Sequence, residues 1–121
     1  MKLRIKGDSI RVRLTKTEVS QLCSEGSVTE LTHIGNHILA YELKTDAATE
    51  KLNAALSENK ITILVSKSFA AEWNDNNVVG ISCDVKSGTA DLQLKLEKDF
   101  VCLDDTNEDQ SDNYPNPNAT C

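Results

Sequence analysis

The sequence predicts a mainly β protein with two short helices, in which two duplicated β-β-α-β-β units form a single β-barrel. Three observations support this. Apolar and polar residues alternate over several short runs, turn residues bound each run, and the order of the runs returns after a shift of 51 residues. We expect one barrel domain over residues 1–100, with repeats at 1–45 and 52–97, and an acidic tail at 101–121.

The first element is a hairpin whose turn lies at residues 7–8, between two alternating runs. A short turn that contains glycine and joins two such runs is typical of a β-hairpin. If the turn centres there, Ile5 faces Ile10 and Leu3 faces Val12. All four apolar side chains then lie on one face, which we expect to be buried.

The remaining hairpins follow the same pattern. In the second unit a turn at residues 58–59 places Leu56 opposite Ile61 and Ala54 opposite Ile63. Each unit ends in a further hairpin with a glycine in its turn. These final hairpins pair residues 27–34 with 37–44, and residues 78–85 with 90–98.

A short helix follows the first hairpin of each unit. Thr15 and Glu18 have the spacing of a capping box, which predicts that the first helix begins at Lys16. Gly26 is a helix stop signal, and Ser66 is the expected cap of the second helix. The apolar positions with helical spacing are Val19, Leu22 and Cys23 in the first helix, and Phe69, Ala70 and Trp73 in the second.

Each unit is too small to hold a core by itself. A unit of about 45 residues lies near the size below which independent folding is rare. Two units that bury their apolar faces against each other solve this problem, and closure into a barrel protects the strand edges.

The first hairpin also carries a stripe of cations on the face opposite its apolar residues. Arg4 lies directly opposite Arg11, and like charges in that position destabilise a sheet, so the stripe favours an anionic partner. The alternative is a solvated face whose long side chains cover apolar surface. The stripe consists of Lys2, Arg4, Lys6, Arg11 and Arg13.

Two anions suit this stripe. One is nucleic acid, held through its phosphates. The other is the protein's own tail, because residues 101–121 carry five acidic residues and no basic one, within a chain of net charge −6. The tail is present at high effective concentration, so we hypothesise that it folds back over the stripe and masks it.

Residues 3–14, with Gly-Asp-Ser at 7–9, resemble the swapped-hairpin DNA-binding domain of AbrB-type transition-state regulators and MazE-type antitoxins. Those proteins build the barrel from two chains, and the resemblance implies that one chain supplies both halves here. It also implies DNA contacts at Arg4, Ser9 and Arg13. The family's asparagine corresponds to Asp8 here. The whole chain also resembles an uncharacterised family of small bacterial proteins.

The tail contains a partial calcium-loop pattern. Asp105, Asn107 and Asp109 have the spacing that begins such a loop, whereas Gln110 and Asn116 occupy the positions of its glycine and its last glutamate. These three residues form a candidate metal site. A disordered, solvated tail is the alternative that the composition favours.

The cysteines lack the short spacings of a metal site. Cys102 and Cys121 flank the tail and could close it through a disulfide, although a reducing compartment opposes this. A zinc site that combines them with His33 and His37 is a further alternative. The remaining cysteines lie on apolar patterns, as core thiols do: Cys23 and Cys83.

No phosphate-binding loop or nucleophile motif is present, and we expect neither an enzyme nor a cofactor. The first residues do not form a signal peptide, and no apolar run approaches the roughly 18 residues that cross a bilayer, so we expect a cytoplasmic protein without membrane contact. The sequence favours a non-catalytic binding or scaffold module with a protein partner, as a monomer or weak homodimer. The alternative is a nucleic-acid-binding regulator or antitoxin-like protein.

Overall fold

The computed structural model describes residues 1–100 and 111–115. In this part the chain forms eight β-strands and two α-helices, as the mainly β prediction requires. In chain order these are β1 (Lys2–Ile5), β2 (Ser9–Leu14), α1 (Lys16–Glu25), β3 (Ser27–Ile34), β4 (His37–Asp46), β5 (Leu52–Ser57), β6 (Lys60–Ser66), α2 (Lys67–Trp73), β7 (Gly80–Ser87) and β8 (Ala90–Lys98).

The strands form two four-stranded sheets. The first sheet has the order β1-β2-β8-β7, and the second has the order β3-β4-β6-β5. Each sheet takes one antiparallel hairpin from each half of the chain and joins the two hairpins by a parallel pair at its centre. The two halves therefore interleave, because every sheet is completed by both.

The predicted β-barrel is wrong. The parallel pairs use β2, β4, β6 and β8, so the other four strands all become sheet edges. Between the strands that the structure describes, no backbone pairing joins one sheet to the other. The strands therefore form two sheets that pack on each other rather than one closed barrel. The edge strands β5 and β7 contact each other without backbone hydrogen bonds between them.

The first hairpin has the predicted register. Ile5 pairs with Ile10 and Leu3 pairs with Val12. The equivalent pairs in the second half of the chain, Leu56 with Ile61 and Ala54 with Ile63, are also as predicted.

Burial along these hairpins differs from the prediction. Val12 is 1% exposed, but Ile5 is 55% exposed and its counterpart Leu56 is 72% exposed. Their partners on β2 and β6 face the core, since Ile61 is buried and Ile10 packs against it, so the exposure at the turn ends is confined to the edge strands β1 and β5. The prediction that the whole apolar face is buried is therefore wrong at the turn ends of β1 and β5.

The later hairpins depart from the single shift of 51 residues. β7 begins at Gly80 rather than at residue 78, and its turn contains Gly88, which lies 53 residues after Gly35 in the corresponding turn. The difference arises between helix and strand. Helix α1 has 10 residues and ends at Gly26, whereas α2 has 7 residues and a longer connection leads to β7.

Both helices begin at the predicted caps. The Thr15 hydroxyl accepts a hydrogen bond from the Glu18 N–H at 3.4 Å, and the Thr15 N–H donates to the Glu18 carboxylate at 3.0 Å. Gly26 ends α1 with a positive φ of 85°. The Ser66 hydroxyl accepts from the Phe69 N–H at 3.3 Å and caps α2.

The core lies between the two sheets and the two helices. Trp73 of α2 is fully buried and its indole N–H donates to the Val78 carbonyl at 2.8 Å. The remaining side chains that are less than 2% exposed come from both sheets and both helices: Val12, Leu14, Val19, Leu22, Leu43, Val65, Ala70, Leu94 and Leu96.

Candidate functional site: a cationic sheet face

The outer face of the first sheet carries a transverse row of three cations. Arg4 of β1 pairs with Arg11 of β2, and Arg11 pairs with Lys95 of β8. Leu94 and Leu96, on either side of Lys95, are buried, so strand alternation directs Lys95 to the solvent face. We call Arg4, Arg11 and Lys95 the cationic row.

One carboxylate lies close to three cations of this face. Glu97 of β8 lies 3.2 Å from Arg11 Nε, 3.8 Å from Arg13 Nε and 3.8 Å from Lys95 Nζ. Its side chain is only 17% exposed. Among the described residues none donates a hydrogen bond to its buried Oε1 atom, so Glu97 balances its neighbours mainly through charge.

The turn end of the face is the least neutralised. Lys2, at the other end of β1, pairs with Asp99 at 3.0 Å. Within the described residues, no carboxylate lies within 4.0 Å of Arg4 or Lys6. The free positive charge is therefore concentrated toward the β1–β2 turn.

A shallow cavity of about 380 Å³ opens at this end of the sheet. Ser9 holds the adjoining turn, because its hydroxyl donates to the Lys6 carbonyl at 2.7 Å. Asp84 is the one acidic residue of the lining. The other residues that line the cavity are Arg4, Lys6, Ile10, Arg11, Gln93, Leu94 and Lys95.

The structure brings the predicted stripe together and adds residues to it. All six predicted anion-binding residues lie on the first hairpin, and the cavity takes four of them; Lys2 and Arg13 lie outside its lining. Sequence reasoning missed Lys95 and Glu97, because it did not foresee the parallel pair of β2 with β8. The alternation along β8 placed Lys95 and Glu97 on a polar face, but nothing in the sequence identified β2 as the strand that pairs with β8.

The described part of the tail docks away from the cationic row. The Lys16 N–H donates to the Asp112 carbonyl at 3.1 Å, and the Thr17 hydroxyl donates to the Asp112 carboxylate at 3.1 Å. Hydrogen bonding from the Thr15 side chain, and then from Thr17, lowers the pKa of Asp112. Tyr114 donates its backbone N–H to the Asp99 carbonyl at 2.8 Å.

A buried lysine lies beneath this docked segment. Lys98 is 5% exposed and its ammonium donates to the Asn76 carbonyl at 2.7 Å. It lies 5.1 Å from the ring centre of Tyr114 and 5.7 Å from that of Trp73, which is the arrangement of a cation–π contact. Burial lowers the pKa of Lys98, and burial raises the pKa of Tyr114.

The predicted metal and disulfide residues fall largely outside the described ranges. Asp105, Asn107 and Asp109 lie there, as do Cys102 and Cys121. Within residues 1–100 and 111–115, no cluster of three or more potential ligands is present. The remaining zinc candidates flank the β3–β4 turn and are exposed: His33 and His37.

The free thiols lie near the core. Cys23 donates to the Ala70 carbonyl at 2.7 Å, and Cys83 donates to the Leu52 carbonyl at 3.5 Å. Both are partly buried, which fits the interpretation as packing residues. In the described part of the chain, neither helix has the length and apolar character needed to span a bilayer.

These features define the class of the molecule as a two-sheet β protein with two short helices and one cationic sheet face. The chain matches the model of DUF7009, a family of unknown function, over residues 1–118, and it belongs to that family. No curated protein and no solved structure matches it. The resemblance to AbrB-type and MazE-type domains is not confirmed by these comparisons.

Proposed function

We propose that this protein is a non-catalytic binding module that uses the cationic row to hold an acidic segment of a partner protein. The observation that carries this proposal is the row itself, three cations on adjacent strands, of which only Arg11 and Lys95 share the counter-ion Glu97. Guanidinium groups stay protonated at any physiological pH, so they suit charge recognition rather than proton transfer.

The charge balance supports an anionic ligand. Like charges that lie directly opposite each other destabilise a sheet, and Arg4 with Arg11 is such a pair. An acidic ligand relieves this repulsion when it binds. Asp84 in the cavity lining favours a flexible acidic side chain over a rigid phosphate backbone, because the side chain can avoid it.

Nucleic acid is the second candidate, and the two arginines of the row favour it. Arginine binds phosphate through two parallel hydrogen bonds. The swapped-hairpin resemblance supports the same alternative, since each sheet combines one hairpin from each half of the chain. We infer on the same ground that the two halves arose by duplication. The second sheet has no cation at the positions equivalent to the row, which opposes symmetric reading of DNA.

The acidic tail is an anion within the same chain that could bind the row. The part of it at residues 111–115 instead contacts the start of α1. We propose that the acidic residues before this segment mask the row: Asp104, Asp105, Glu108 and Asp109.

The test compares two polyanions. Polyglutamate and duplex DNA of matched charge are titrated into the full chain at low and at physiological salt, with binding followed by fluorescence anisotropy. We expect polyglutamate to bind more tightly than duplex DNA. The double variant Arg4→Ala and Arg11→Ala should lower the affinity for polyglutamate about tenfold or more. The matched control, Lys44→Ala with Lys60→Ala, removes the same charge from the second sheet and should change little.

Preferential binding of DNA would favour the nucleic-acid candidate. Equal weakening by the two double variants would show that only net charge matters and would remove the proposal.

A further inference from the structure

The outer edge of β1 is open for pairing. β1 is the terminal strand of the first sheet. Lys6 and Ser9 exchange two backbone hydrogen bonds of 3.1 Å, and such pairs alternate with non-bonded pairs in an antiparallel ladder. Arg4 and Arg11 are therefore the next bonded pair. The backbone N–H and C=O of Ile5, which lies between, point away from β2.

The same alternation turns the backbone groups of Leu3 outward. Among the described residues, no backbone partner is present for these groups of Leu3 or Ile5. The start of the strand is held in place, because the Met1 amino group contacts the carboxylates of Glu18 and Glu30. The open part of the edge thus runs from Leu3 toward the turn.

The two faces of this edge differ in chemistry. On the solvent face, Arg4 and Lys6 have no carboxylate within 4.0 Å in the described part of the chain. On the other face, the Ile5 side chain is 55% exposed. An extended segment laid along β1 would present its own side chains alternately to these two faces.

We propose that the open edge of β1 pairs with an extended segment of a partner protein in which acidic and apolar residues alternate. The acidic side chains contact Arg4 and Lys6, the apolar ones cover Ile5, and backbone hydrogen bonds form at Leu3 and Ile5. Addition of a strand to a sheet edge is an established mode of peptide recognition. The inference rests on the proposed function and adds the binding mode and the partner's sequence pattern.

The charges on β1 disfavour a second copy of this chain as the occupant. Antiparallel pairing of two β1 edges would bring Lys2, Arg4 and Lys6 of both copies onto one face, and cations on an edge strand oppose such pairing. The edge strand β5 provides the neutral comparison. It has Ala55 and Ser57 at the equivalent positions.

The test uses a short capped peptide of alternating glutamate and valine, and two controls. One control has the same composition with the glutamates and valines in separate blocks. The other is the alternating peptide with N-methyl groups on every second amide along one edge. We expect the alternating peptide to bind and to slow hydrogen exchange at the amides of Leu3 and Ile5. The affinity of each control should be lower than that of the alternating peptide by about tenfold or more.

Matched variants locate the contact. Ile5→Thr keeps a β-branched side chain while removing apolar area, and should weaken binding of the alternating peptide several-fold. Leu56→Thr makes a similar change at the more exposed counterpart on β5 and should leave binding unchanged. Arg4→Gln should weaken binding, whereas Lys60→Gln on the second sheet should not.

Each contrary outcome has a separate meaning. Equal binding of all three peptides, still dependent on Arg4, would leave the proposed function standing and overturn the edge pairing. If none of the three peptides binds, both the proposed function and the edge pairing are wrong. Protection of the Leu3 and Ile5 amides in the full chain before any peptide is added would show that the edge is already occupied, and would overturn the assignment to a partner protein.

Discussion

The two sheets have the same strand pattern, but their outer faces differ in charge. In the first sheet the central row reads Arg4, Arg11 and Lys95 across β1, β2 and β8. In the second sheet the corresponding row reads Ala55, Thr62 and Glu42 across β5, β6 and β4. Glu42 is neutralised locally by Lys60 at 3.0 Å.

This difference separates what the fold requires from what it merely permits. The inward positions of both sheets are apolar and buried, because both contribute to one core. The outward positions of the second sheet show that the strand pattern forms without a row of cations. The cationic row is therefore not a structural requirement, which is the physical reason for assigning it a binding role.

The largest expected effect tests the equivalence of the two inner faces. Leu43 of β4 and Leu96 of β8 are both fully buried, at positions 53 residues apart. We expect Leu43→Ala and Leu96→Ala each to lower the free energy of unfolding by about 2–5 kcal/mol, through lost burial and the cavity left behind. Urea unfolding followed by circular dichroism measures both.

The control for this pair is Leu56→Ala, at a position 72% exposed. It should cost far less than either core variant. A loss at Leu43 several times that at Leu96 would mean that the two sheets do not contribute equally to the core, and that the comparison holds only for strand order.

The second prediction concerns the shared counter-ion of the cationic face. Glu97→Gln leaves the charges of Arg11, Arg13 and Lys95 unbalanced. We expect a loss of about 1–2 kcal/mol in the free energy of unfolding, smaller at high salt, because these groups are only partly buried. Affinity for polyglutamate should rise several-fold at the same time.

Opposite changes in stability and affinity are the informative result. If Glu97→Gln lowers both, Glu97 orients the row for its ligand rather than competing with it. A matched change on the second sheet, Glu42→Gln, removes a carboxylate that pairs with Lys60 and should not alter polyglutamate binding.

The local elements could be predicted from the sequence because each depends on neighbouring residues. The turn at residues 7–8 sets the pairing of Ile5 with Ile10, and Thr15 with Glu18 sets the start of α1. At the level of the whole chain, the match to DUF7009 is consistent with the expected resemblance to an uncharacterised family.

The long-range arrangement could not be predicted in the same way. The pairing of Arg11 with Lys95 joins strands from opposite ends of the chain, and alternation alone does not choose a neighbour. Nor does alternation show which strands become sheet edges, so the exposure of Ile5 and Leu56 was missed. The two extra residues before β7 were hidden because a shift of two preserves the alternation of faces.

The third prediction compares the caps of the two helices. Thr15→Ala removes the hydroxyl that accepts from the Glu18 N–H and donates to Asp112, but Glu18 still accepts from the backbone N–H of residue 15 and Asp112 keeps its bond from Thr17. Ser66→Ala leaves the Phe69 N–H without its side-chain acceptor and has no reciprocal bond, since Phe69 occupies the equivalent position. We expect losses of about 0.5–1 kcal/mol for Thr15→Ala and about 1–2 kcal/mol for Ser66→Ala. Urea denaturation compares them, and a larger loss at Thr15 would contradict the argument.

The smallest effect is confined to alkaline pH and concerns Lys98, at the end of β8. Burial lowers the pKa of Lys98 below its ordinary 10.5. Between the lowered pKa and 10.5 the unfolded chain binds more protons than the folded one, so the free energy of unfolding rises with pH. Lys98→Met should remove this rise.

Tyr114 acts in the opposite direction and must be separated from it. Burial raises the pKa of Tyr114 above its ordinary 10.0, so its contribution to stability is complete below 10.0 and is lost as pH rises through the raised pKa. Urea unfolding of Lys98→Met and Tyr114→Phe across this range distinguishes the two groups. An unchanged slope in Lys98→Met would mean that the ammonium reaches solvent in the folded chain. The docked segment at residues 111–115 would then not cover Lys98 at this end of the first sheet. The two sheets would in that case differ only in the charges on their outer faces.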